Sequence, residues 1–374
     1  MRTRLLLVIW QGGIGGAERC IVELTRHLDL MKYDVTVAIL SRGGITTDQI
    51  DRNKIRLVEF GFSSFLDIPA FLRLVKFLRS NSFDIVHTHV RTILMNVALL
   101  TPTPRPILVY HEHGGTLLGG SIRDHLFYAA FARYYGAFIA IQKEMAQHMK
   151  RVNSACAEKT IVIENPVDIE LFKPSAKAER KLEFSSPKKN LLIGTIARFI
   201  PEKDLGLFLQ TAQLVIGRRP DIQFVIVGNG PLWAEVKATS EGPDFKGRVA
   251  LVGESPDVPT ILGSFDLFLF TSRIEAFGMT LIESLACGIP VVGAKPELGG
   301  ARNLLETLSG VSLVPERKPE ALADAVLALL GNPEHLYRLG RAGREHVVEH
   351  YAVENWAKAL DALYQGLLRS KHRE

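Results

Sequence analysis

The sequence predicts an α/β protein of two doubly wound, Rossmann-like domains with parallel sheets, facing each other across a cleft. The chain has 374 residues, and because a single hydrophobic core stops growing near ~250–300 residues, two domains are expected. Short runs rich in Val, Ile and Leu alternate with helical patterns, as in parallel sheets that helices cover on both faces. A polar stretch at 171–189 interrupts this alternation once, and the pattern restarts at residue 190.

The interruption divides the chain into domains. Residues 1–170 form the predicted N-terminal domain, 171–189 the linker, and 190–352 the predicted C-terminal domain. We expect the last helix, at 353–374, to pack back on the N-terminal domain. Ligands of such sheets bind outside the carboxyl ends of the strands. The residues that follow each strand are therefore the first candidates for a functional site.

Each predicted strand is a short apolar run that ends at a polar or Gly-containing segment. Helices are predicted where apolar residues recur at spacings of three and four. In the N-terminal domain the predicted strands are 4–10, 35–40, 55–59, 85–87, 107–110, 138–141 and 161–164, and the predicted helices are 17–28, 68–79, 96–100 and 124–134. In the rest of the chain the predicted strands are 190–196, 224–227, 249–252, 266–270 and 290–293, and the predicted helices are 205–216, 258–263, 279–286, 322–330, 336–351 and 353–368.

The composition, with 47% hydrophobic and 23% charged residues, indicates a globular protein with a substantial core. The net charge of +5 is too small, and the basic runs are too short, to indicate nucleic-acid binding. Cys20, Cys156 and Cys287 have neither metal nor disulfide spacing, so we expect a reducing, cytoplasmic location. Residues 1–10 lack a small-residue cleavage site after their apolar run, and they predict a buried strand rather than a signal peptide.

The segment 271–293 organises the predicted C-terminal domain. A strand leads through a polar loop into a helix that begins near Gly278. The free N–H groups and the positive dipole end at such a helix start attract an anion. Glu275 in the loop and Glu283 in the helix are acceptors suited to hydroxyl groups of the same ligand. An anion flanked by hydroxyls describes a sugar nucleotide; the alternative is an ordinary helix crossover with two surface acids.

Three further strand ends carry polar or Gly motifs. Arg198 and Lys203 lie where they can clamp a diphosphate without a metal, although they could also be a solvated surface pair. Gly228 and Gly230 let the backbone approach a flat ring, and the Gly-Glu pair at 253–254 does the same one strand along. Because these motifs follow successive strands, they predict one common site.

The motifs in this order resemble the retaining glycosyltransferases of family 4 (glycosyl transferases group 1), which have the GT-B fold. The resemblance covers nearly the whole chain, and its E-x7-E element from Glu275 to Glu283 is specific in this context. The segments that carry it are ARFIPEKD at 197–204, VGNGP at 227–231, LVGE at 251–254 and EAFGMTLIESLACGIPVVG at 275–293, together with GGIGGAER at 12–19, EHGG at 112–115 and ENPVD at 164–168.

The resemblance implies roles for particular residues. Arg198 and Lys203 would hold the donor diphosphate and stabilise the charge left as the glycosidic bond breaks. Glu275 and His113 would contact the transferred sugar, and Glu283 would bind the ribose hydroxyls. The remaining implied donor contacts are the backbone groups of Phe277, Gly278, Met279 and Thr280 at sugar and phosphate oxygens, Gly228, Gly230, Gly253 and Glu254 around the base, and Gly15 and Gly16 at the phosphates or the acceptor on the opposite wall.

The family resemblance implies transfer with retention of the anomeric configuration. Since the sequence shows no nucleophile, we expect a front-face displacement in which the leaving phosphate accepts the acceptor's proton. A UDP- or GDP-sugar would serve as the donor substrate, with no cofactor, in a metal-independent hexosyltransferase. The acceptor would be a sugar or a lipid-linked sugar in the synthesis of envelope polysaccharide or glycolipid.

The histidines of the N-terminal domain do not predict a metal site. His87, His89, His111 and His113 form two His-x-His pairs, each with both rings on one strand face. Neither pair supplies a third ligand, and Asp-x-Asp does not occur. We therefore expect no metal.

Other functions compete with this interpretation. A nicotinamide dehydrogenase needs G-x-G-x-x-G and an acid after the second strand, whereas GGIGGAE has a different spacing and Ser41-Arg42 follows that strand. A phosphorylase would need a pyridoxal lysine and a longer chain. A nucleotide-sugar epimerase of the same fold and a non-catalytic sugar-nucleotide binding protein stay as alternatives.

A basic helix stripe lies within residues 62–79, where Arg73, Lys76 and Arg79 recur at a spacing of three among apolar residues. One interpretation is peripheral contact with an anionic membrane at its inner face. The other is an ordinary helix that covers the sheet.

Overall fold

The computed structural model describes residues 2–13, 15–44, 47–114, 122–174, 191–245 and 247–371, with the backbone alone at 122–125. The chain divides into two units. The first unit combines Met1–Pro166 with Val353–Glu374, and the second is Val167–Ala352. Most of the predicted linker at 171–189 lies outside the described residues.

Buried aliphatic strands build a seven-stranded parallel sheet in the first unit. Its strands are β1 (Thr3–Ile9), β2 (Tyr33–Ile39), β3 (Arg56–Glu59), β4 (Ile85–Thr88), β5 (Ile107–Glu112), β6 (Tyr135–Ala140) and β7 (Thr160–Val162). Leu5 of β1 aligns with Val35 on one side and with Ile85 on the other. The strand order is β3-β2-β1-β4-β5-β6-β7, so the sequence order reverses between β1 and β4. Such a reversal is where doubly wound sheets bind ligands.

Helices connect these strands, and several begin at capping side chains. Asp67 accepts a hydrogen bond from the Ala70 N–H at 2.9 Å, and Thr92 accepts one from the Met95 N–H at 3.2 Å. The helices of this part of the chain are α1 (Gly16–His27), α2 (Ile68–Ser80), α3 (Ile93–Leu99), α4 (Ile122–Phe131), α5 (Lys143–Val152) and α6 (Ser154–Ala157).

The second unit contains a six-stranded parallel sheet. Its strands are β8 (Leu192–Ile196), β9 (Gln223–Val227), β10 (Val249–Val252), β11 (Leu267–Phe270), β12 (Val291–Ala294) and β13 (Val311–Val314). Its helices are α7 (Leu205–Arg218), α8 (Trp233–Ser240), α9 (Val258–Gly263), α10 (Met279–Ala286), α11 (Ala301–Thr307), α12 (Pro319–Leu330) and α13 (Pro333–His350). Phe208, Phe224 and Val326 are fully or almost fully buried in its core. The strand order β10-β9-β8-β11-β12-β13 reverses between β8 and β11.

The last helix, α14 (Val353–Lys371), completes the core of the first unit. Trp356, Leu360 and Tyr364 are at most 5% exposed and pack in one cluster with the aliphatic side chains of β1. The hydroxyl of Tyr33 donates a hydrogen bond to Asp361 at 2.6 Å at the edge of this contact. Since burying one large apolar side chain contributes about 1.5–3 kcal/mol, α14 is an integral part of the first unit.

The predicted α/β class with two parallel sheets is confirmed, and each predicted strand is found with its ends shifted by a few residues. The sequence interpretation missed β13 and the helices α5, α6, α8 and α11. Helix α5 buries only Met145, Ala146 and Met149 among mostly polar residues, and α8 buries only Val236 and Ser240. Their apolar pattern is therefore too sparse to stand out. Within the described ranges, no helix has both the length and the apolar character needed to cross a membrane.

Candidate functional site

An ion pair between Lys203 and Glu275 lies at the carboxyl ends of the strands of the second unit. The ammonium of Lys203 donates a hydrogen bond to Oε2 of Glu275, and the Ser272 hydroxyl donates to the same oxygen at 3.3 Å. The two charged side chains are only 18% and 14% exposed. Lys203, predicted as one half of a diphosphate clamp, therefore has a carboxylate partner within the protein itself.

Backbone contacts bring these two residues together from separate loops. Lys203 ends a 3-10 turn that follows β8, and Glu275 lies in the loop after the neighbouring strand β11. The carbonyl oxygen of Glu202 accepts hydrogen bonds from the N–H groups of Arg273 at 2.7 Å and Ile274 at 3.2 Å. The Thr271 hydroxyl donates to the carbonyl oxygen of Lys203 at 3.2 Å. The two loops are therefore fixed to each other on both sides of the ion pair.

Arg317, which the sequence interpretation missed, is hydrogen-bonded to the same two loops. Its guanidinium donates hydrogen bonds to the carbonyl oxygens of Thr271 at 2.7 Å and Ser272 at 3.1 Å. It also donates to Oδ2 of Asp204 at 2.6 Å and to the carbonyl oxygen of Lys295 at 3.3 Å. With 14% of its side chain exposed, Arg317 is a positioning residue for the loop that carries Glu275. Its sequence context, a charged segment after a short strand, gives no sign of this role.

A glycine fixes the backbone of Glu275 from the other side. Gly299 has φ +97°, and a Cβ added there would lie 2.0 Å from the carbonyl oxygen of Glu275. The N–H of Glu275 donates to the carbonyl oxygen of Leu298 at 3.1 Å. Any side chain at residue 299 would therefore displace the Glu275 backbone.

Helix α10 begins at Met279, four residues after Glu275, and its N-cap residue Gly278 has a φ of +95° that suits glycine. The N–H groups of Met279 and Thr280 have no hydrogen-bond partner among the residues described, as expected for a first helical turn. The ring of Phe277 is buried and packs edge-on against Tyr351 at 6.2 Å. Glu283 lies one turn further along and is only 1% exposed. The start of α10 thus offers unbonded N–H groups beside a pair of opposite charges.

Arg198 differs from Lys203 in its surroundings. It lies two residues after the end of β8 and is exposed. Within the described ranges its guanidinium forms no ion pair. It is therefore the cation that a ligand can use without breaking a contact of the protein.

Packing requires glycine at only some of the positions that are predicted to face the base. A Cβ on Gly228 would lie 2.0 Å from the carbonyl oxygen of Ala197, and one on Gly230 would lie 2.6 Å from that of Phe199. These two glycines let the loop after β9 pack on the loop after β8. A Cβ on Gly253 would meet nothing within 4 Å in the described structure. Packing therefore accounts for Gly228 and Gly230, whereas it gives no reason for Gly253; Glu254 follows at the surface side of β10.

Gly15 and Gly16 lie in the first unit, where α1 begins. Gly15 is the N-cap residue in an extended conformation, with φ −170°, which any residue can adopt. A Cβ there would meet only the flexible carboxylate of Glu18, at 2.2 Å. The tight approach is instead at Gly12, where a Cβ would lie 2.6 Å from the backbone nitrogen of Gly44.

His113 follows β5 and belongs to a cluster of four stacked histidines. Its Nε2 lies 2.7 Å from Nδ1 of His89, and its ring centroid lies 4.2 Å from that of His111. His87 stacks on His89 at 4.6 Å. Burial lowers the pKa of His87 and of His113 to about 3, so the rings are neutral at pH 7.

The two His-x-His pairs lie side by side, which the spacing within one strand did not reveal. His-x-His at the end of β4 and His-x-His at the end of β5 lie on neighbouring strands, because β4 and β5 pair in parallel. One nitrogen each of His87, His89 and His111 lies within 4.8 Å of the others. The third imidazole of this group comes from the adjacent strand. The end of the EHGG motif, residue 115, and the loop at 116–121 lie outside the described residues.

Two parallel-sheet α/β units with their candidate residues at the strand carboxyl ends place the protein in the GT-B fold class. The family model "Glycosyltransferase Family 4" matches residues 14–171, and the model "Glycosyl transferases group 1" matches residues 177–346. Between them they span nearly the whole chain. This protein belongs to the group 1 glycosyltransferases of family 4.

Two of the similar proteins are named as glycosyltransferases. The D-inositol 3-phosphate glycosyltransferase of Segniliparus rotundus is 29% identical over 231 residues, which is 60% of this chain and 51% of that protein. The chain thus spans about half the length of that relative. The UDP-Gal:alpha-D-GlcNAc-diphosphoundecaprenol alpha-1,3-galactosyltransferase of Escherichia coli is 25% identical over 294 residues, 75% of this chain and 76% of that protein.

Solved structures show the same fold at low identity. Anabaena HepE in complex with UDP and glucose has a TM-score of 0.82 at 20% identity, covering 97% of this chain and 100% of that one. WaaG, a glycosyltransferase involved in lipopolysaccharide biosynthesis, has a TM-score of 0.74 at 14% identity, covering 95% of this chain and 99% of that one.

Proposed function

We propose that this protein is a retaining glycosyltransferase that moves a sugar from a nucleoside diphosphate sugar to a sugar or lipid-linked sugar acceptor of the cell envelope. The observation that carries this proposal is the Lys203–Glu275 ion pair, in which Glu275 lies four residues before the start of α10. A cation, a carboxylate and unbonded N–H groups together suit a ligand that has both an anionic diphosphate and sugar hydroxyls. The family membership and the names of the relatives support this assignment.

Donor binding begins with an exchange of partners. The ammonium of Lys203 moves its hydrogen bond from Glu275 to a phosphate oxygen, and the carboxylate of Glu275 then accepts a hydrogen bond from a hydroxyl of the transferred sugar. Because each group gains a new partner as it loses the old one, neither charge stays buried and unpaired. Arg198 supplies the second cation for the diphosphate.

The transfer step follows from these contacts. The bond between the anomeric carbon and the phosphate oxygen breaks with its electron pair going to the diphosphate. The acceptor oxygen bonds to the same carbon on the same face, and its proton passes to the leaving phosphate oxygen. Arg198, Lys203 and the first N–H groups of α10 stabilise the charge that develops, without a divalent cation. Removing one preorganised donor of this kind typically costs about 2.7–4 kcal/mol of barrier.

The proposed donor is a UDP- or GDP-sugar. HepE was solved with UDP, and a Corynebacterium glutamicum relative is a GDP-mannose-dependent mannosyltransferase, 26% identical over 274 residues. The E. coli relative acts on a diphosphoundecaprenol-linked sugar, which supports a lipid-linked acceptor here. Gly253 and Glu254, at the end of β10, are the proposed contacts of the base, and Glu283 is the proposed contact of the ribose.

A donor screen tests the proposal. The purified protein is incubated with UDP-, GDP- and ADP-sugars, without added magnesium or manganese, and free nucleoside diphosphate is measured. We expect release from one donor, lost in Glu275→Gln and kept in Glu334→Gln, which changes a carboxylate with 81% exposure on α13. Epimerised donor with its diphosphate intact would indicate an epimerase, and tight binding without turnover in the presence of lipid-linked acceptors would indicate a binding protein. No nucleotide binding would contradict the proposal.

Peripheral contact with an anionic membrane is part of the proposed function. On α2 the side chains of Ile68 and Leu72 are 53% and 59% exposed, while Leu74 on the opposite face is buried. Lys76 and Arg79 continue the same exposed stripe. Phe65 and Leu66, just before α2, are 59% and 77% exposed. An apolar patch continued by basic residues is complementary to an anionic lipid surface, where a lipid-linked acceptor resides.

A further inference from the structure

We propose that His87, His89 and His111 bind one zinc ion in the first unit. This inference does not rest on glycosyl transfer. The three side chains come from the ends of the paired strands β4 and β5. One ring nitrogen of each lies within 4.8 Å of the other two.

Several nitrogens of this cluster are buried without partners. His87 and His111 are fully buried. Among the residues that the structure describes, Nε2 of His87, Nε2 of His89 and both ring nitrogens of His111 have no hydrogen-bond partner. A buried polar atom left unsatisfied costs about 1–3 kcal/mol, so three such side chains in contact require an explanation. A bound cation satisfies one nitrogen of each of the three rings at once.

The hydrogen bonds that do exist select the ligand atoms. Nδ1 of His87 lies 2.6 Å from the hydroxyl of Tyr364, and Nδ1 of His89 lies 2.7 Å from Nε2 of His113. Metal-bound histidines commonly donate their second N–H to such an outer partner, which fixes the tautomer. Nε2 of both residues is then the unprotonated atom.

Coordination requires one ring to turn. The rings of His87 and His111 are nearly parallel, at 16° with their centroids 5.3 Å apart, and nitrogen lone pairs lie in the ring plane. Zn–N bonds of about 2.0–2.1 Å in a tetrahedral site bring the nitrogens to about 3.4 Å from one another. His111 is the ring that moves, because in the described structure it has no hydrogen bond to lose.

The donor set narrows the choice of metal. Imidazole suits zinc and neighbouring transition metals, whereas magnesium prefers oxygen ligands and is poorly served here. Glu112 lies on the opposite side of β5, where it accepts hydrogen bonds from the Tyr110 hydroxyl at 2.9 Å and the Gly114 N–H at 3.0 Å. With three protein ligands the fourth position is open to water. Such an ion is distinct from a magnesium ion on a diphosphate, and it leaves the donor chemistry proposed above unchanged.

Metal binding by the full chain tests the inference. The protein is stripped with a chelator and titrated with Co²⁺, whose visible absorption reports its coordination, and with Zn²⁺ by calorimetry. We expect one tightly bound ion, lost in His111→Phe. The matched control is His346→Gln. His346 and His350 lie one helical turn apart on α13, with their rings edge to face and the centroids 4.6 Å apart, so this pair can capture metal by itself. Binding is expected to persist in this control.

X-ray absorption of the zinc-loaded wild-type protein reports the ligands of the ion, and it tests the site even if His111→Phe fails to fold. Three imidazoles around the ion support the site. Two or fewer imidazoles around the ion would overturn it. So would binding that is lost in His346→Gln and kept in His111→Phe, or a wild-type chain that binds neither ion in the micromolar range.

Discussion

Lys203 and Glu275 are 72 residues apart in the chain, yet the ammonium of one donates directly to the carboxylate of the other. Each is mostly buried, so each stabilises the charge of the other in the absence of a ligand. A donor diphosphate therefore competes with Glu275 for Lys203. The protein gives up this internal ion pair when it gains the contacts to the phosphate and to the sugar.

Replacing Lys203 by Met tests the stabilising half of this relationship. The variant keeps the length of the side chain and leaves the Glu275 carboxylate without its cation, so we expect the free energy of unfolding to fall by about 1–3 kcal/mol. Urea denaturation measures this change. The double variant Lys203→Met/Glu275→Gln removes both charges and is expected to regain most of the lost stability. A Lys203→Met variant as stable as the wild-type protein would show that the pair contributes nothing.

The glycines after β9 and β10 are expected to behave in opposite ways. Gly228→Ala forces a side chain into φ +132° with its Cβ 2.0 Å from the carbonyl oxygen of Ala197, so we expect a loss of at least about 2 kcal/mol of stability. Gly253→Ala has open space, and its melting temperature should stay within a degree or two of wild type, as for a surface substitution.

The two variants also separate packing from ligand contact. If the base lies against Gly253, Gly253→Ala weakens nucleotide binding about tenfold or more while the fold is unchanged, which calorimetry with UDP and GDP can measure. Unchanged affinity for both nucleotides would remove Gly253 from the donor site. A Gly253→Ala variant less stable than Gly228→Ala would contradict the packing described for both glycines.

Arg317 is expected to be irreplaceable by lysine. Its guanidinium holds four oxygens, including the carbonyl oxygens of Thr271 and Ser272 in the loop that carries Glu275. A single ammonium cannot match this planar set of donors. We expect Arg317→Lys to lower kcat for donor cleavage by about 10²-fold with a smaller change in KM, since a misplaced catalytic loop costs about that much.

An exposed arginine elsewhere serves as the control for this substitution. Arg302→Lys, on the surface of α11, is expected to retain wild-type kinetics. Equal kinetics for Arg317→Lys and wild type would show that the loop does not depend on the guanidinium.

The exposed stripe of α2 predicts binding to anionic vesicles. Lys76→Gln should weaken binding to vesicles of phosphatidylglycerol and phosphatidylcholine about fivefold, because one basic residue near such a surface is worth about 1 kcal/mol. Leu72→Ser should weaken it by a similar factor through lost apolar contact. The control Met31→Ser changes a side chain with 86% exposure elsewhere on the first unit. Sedimentation that is equal for all variants, or insensitive to salt, would rule out this surface.

The fold was predictable because parallel strands bury both faces and leave continuous aliphatic runs such as Leu5 to Ile9. Elements with little buried surface, such as α8, left no such pattern. In the site, the strand ends marked Arg198, Lys203 and Glu275 as candidates. Their mutual contacts were not predictable, since Lys203 meets its partner only through the neighbouring order of β8 and β11.

Two further features depend on side chains that meet from separate segments. In the sequence, Arg317 is one of several charged residues that follow a strand. Only its buried position in the structure identifies it as a positioning residue. The histidine cluster arises from the pairing of β4 with β5, whereas each His-x-His by itself gives two rings. Sequence spacing reports neighbours along one element, and these contacts cross between elements.

The most direct test of retaining transfer at this site is proton NMR of the reaction with the donor found in the screen. The coupling constant of the anomeric proton is recorded for the first product formed, with wild type and with Arg198→Ala. We predict that the product keeps the anomeric configuration of the donor, and that Arg198→Ala slows its formation by about 10²–10³-fold, as expected for loss of one charge-stabilising donor. A first product of inverted configuration, or an Arg198→Ala variant as fast as wild type, would contradict the mechanism.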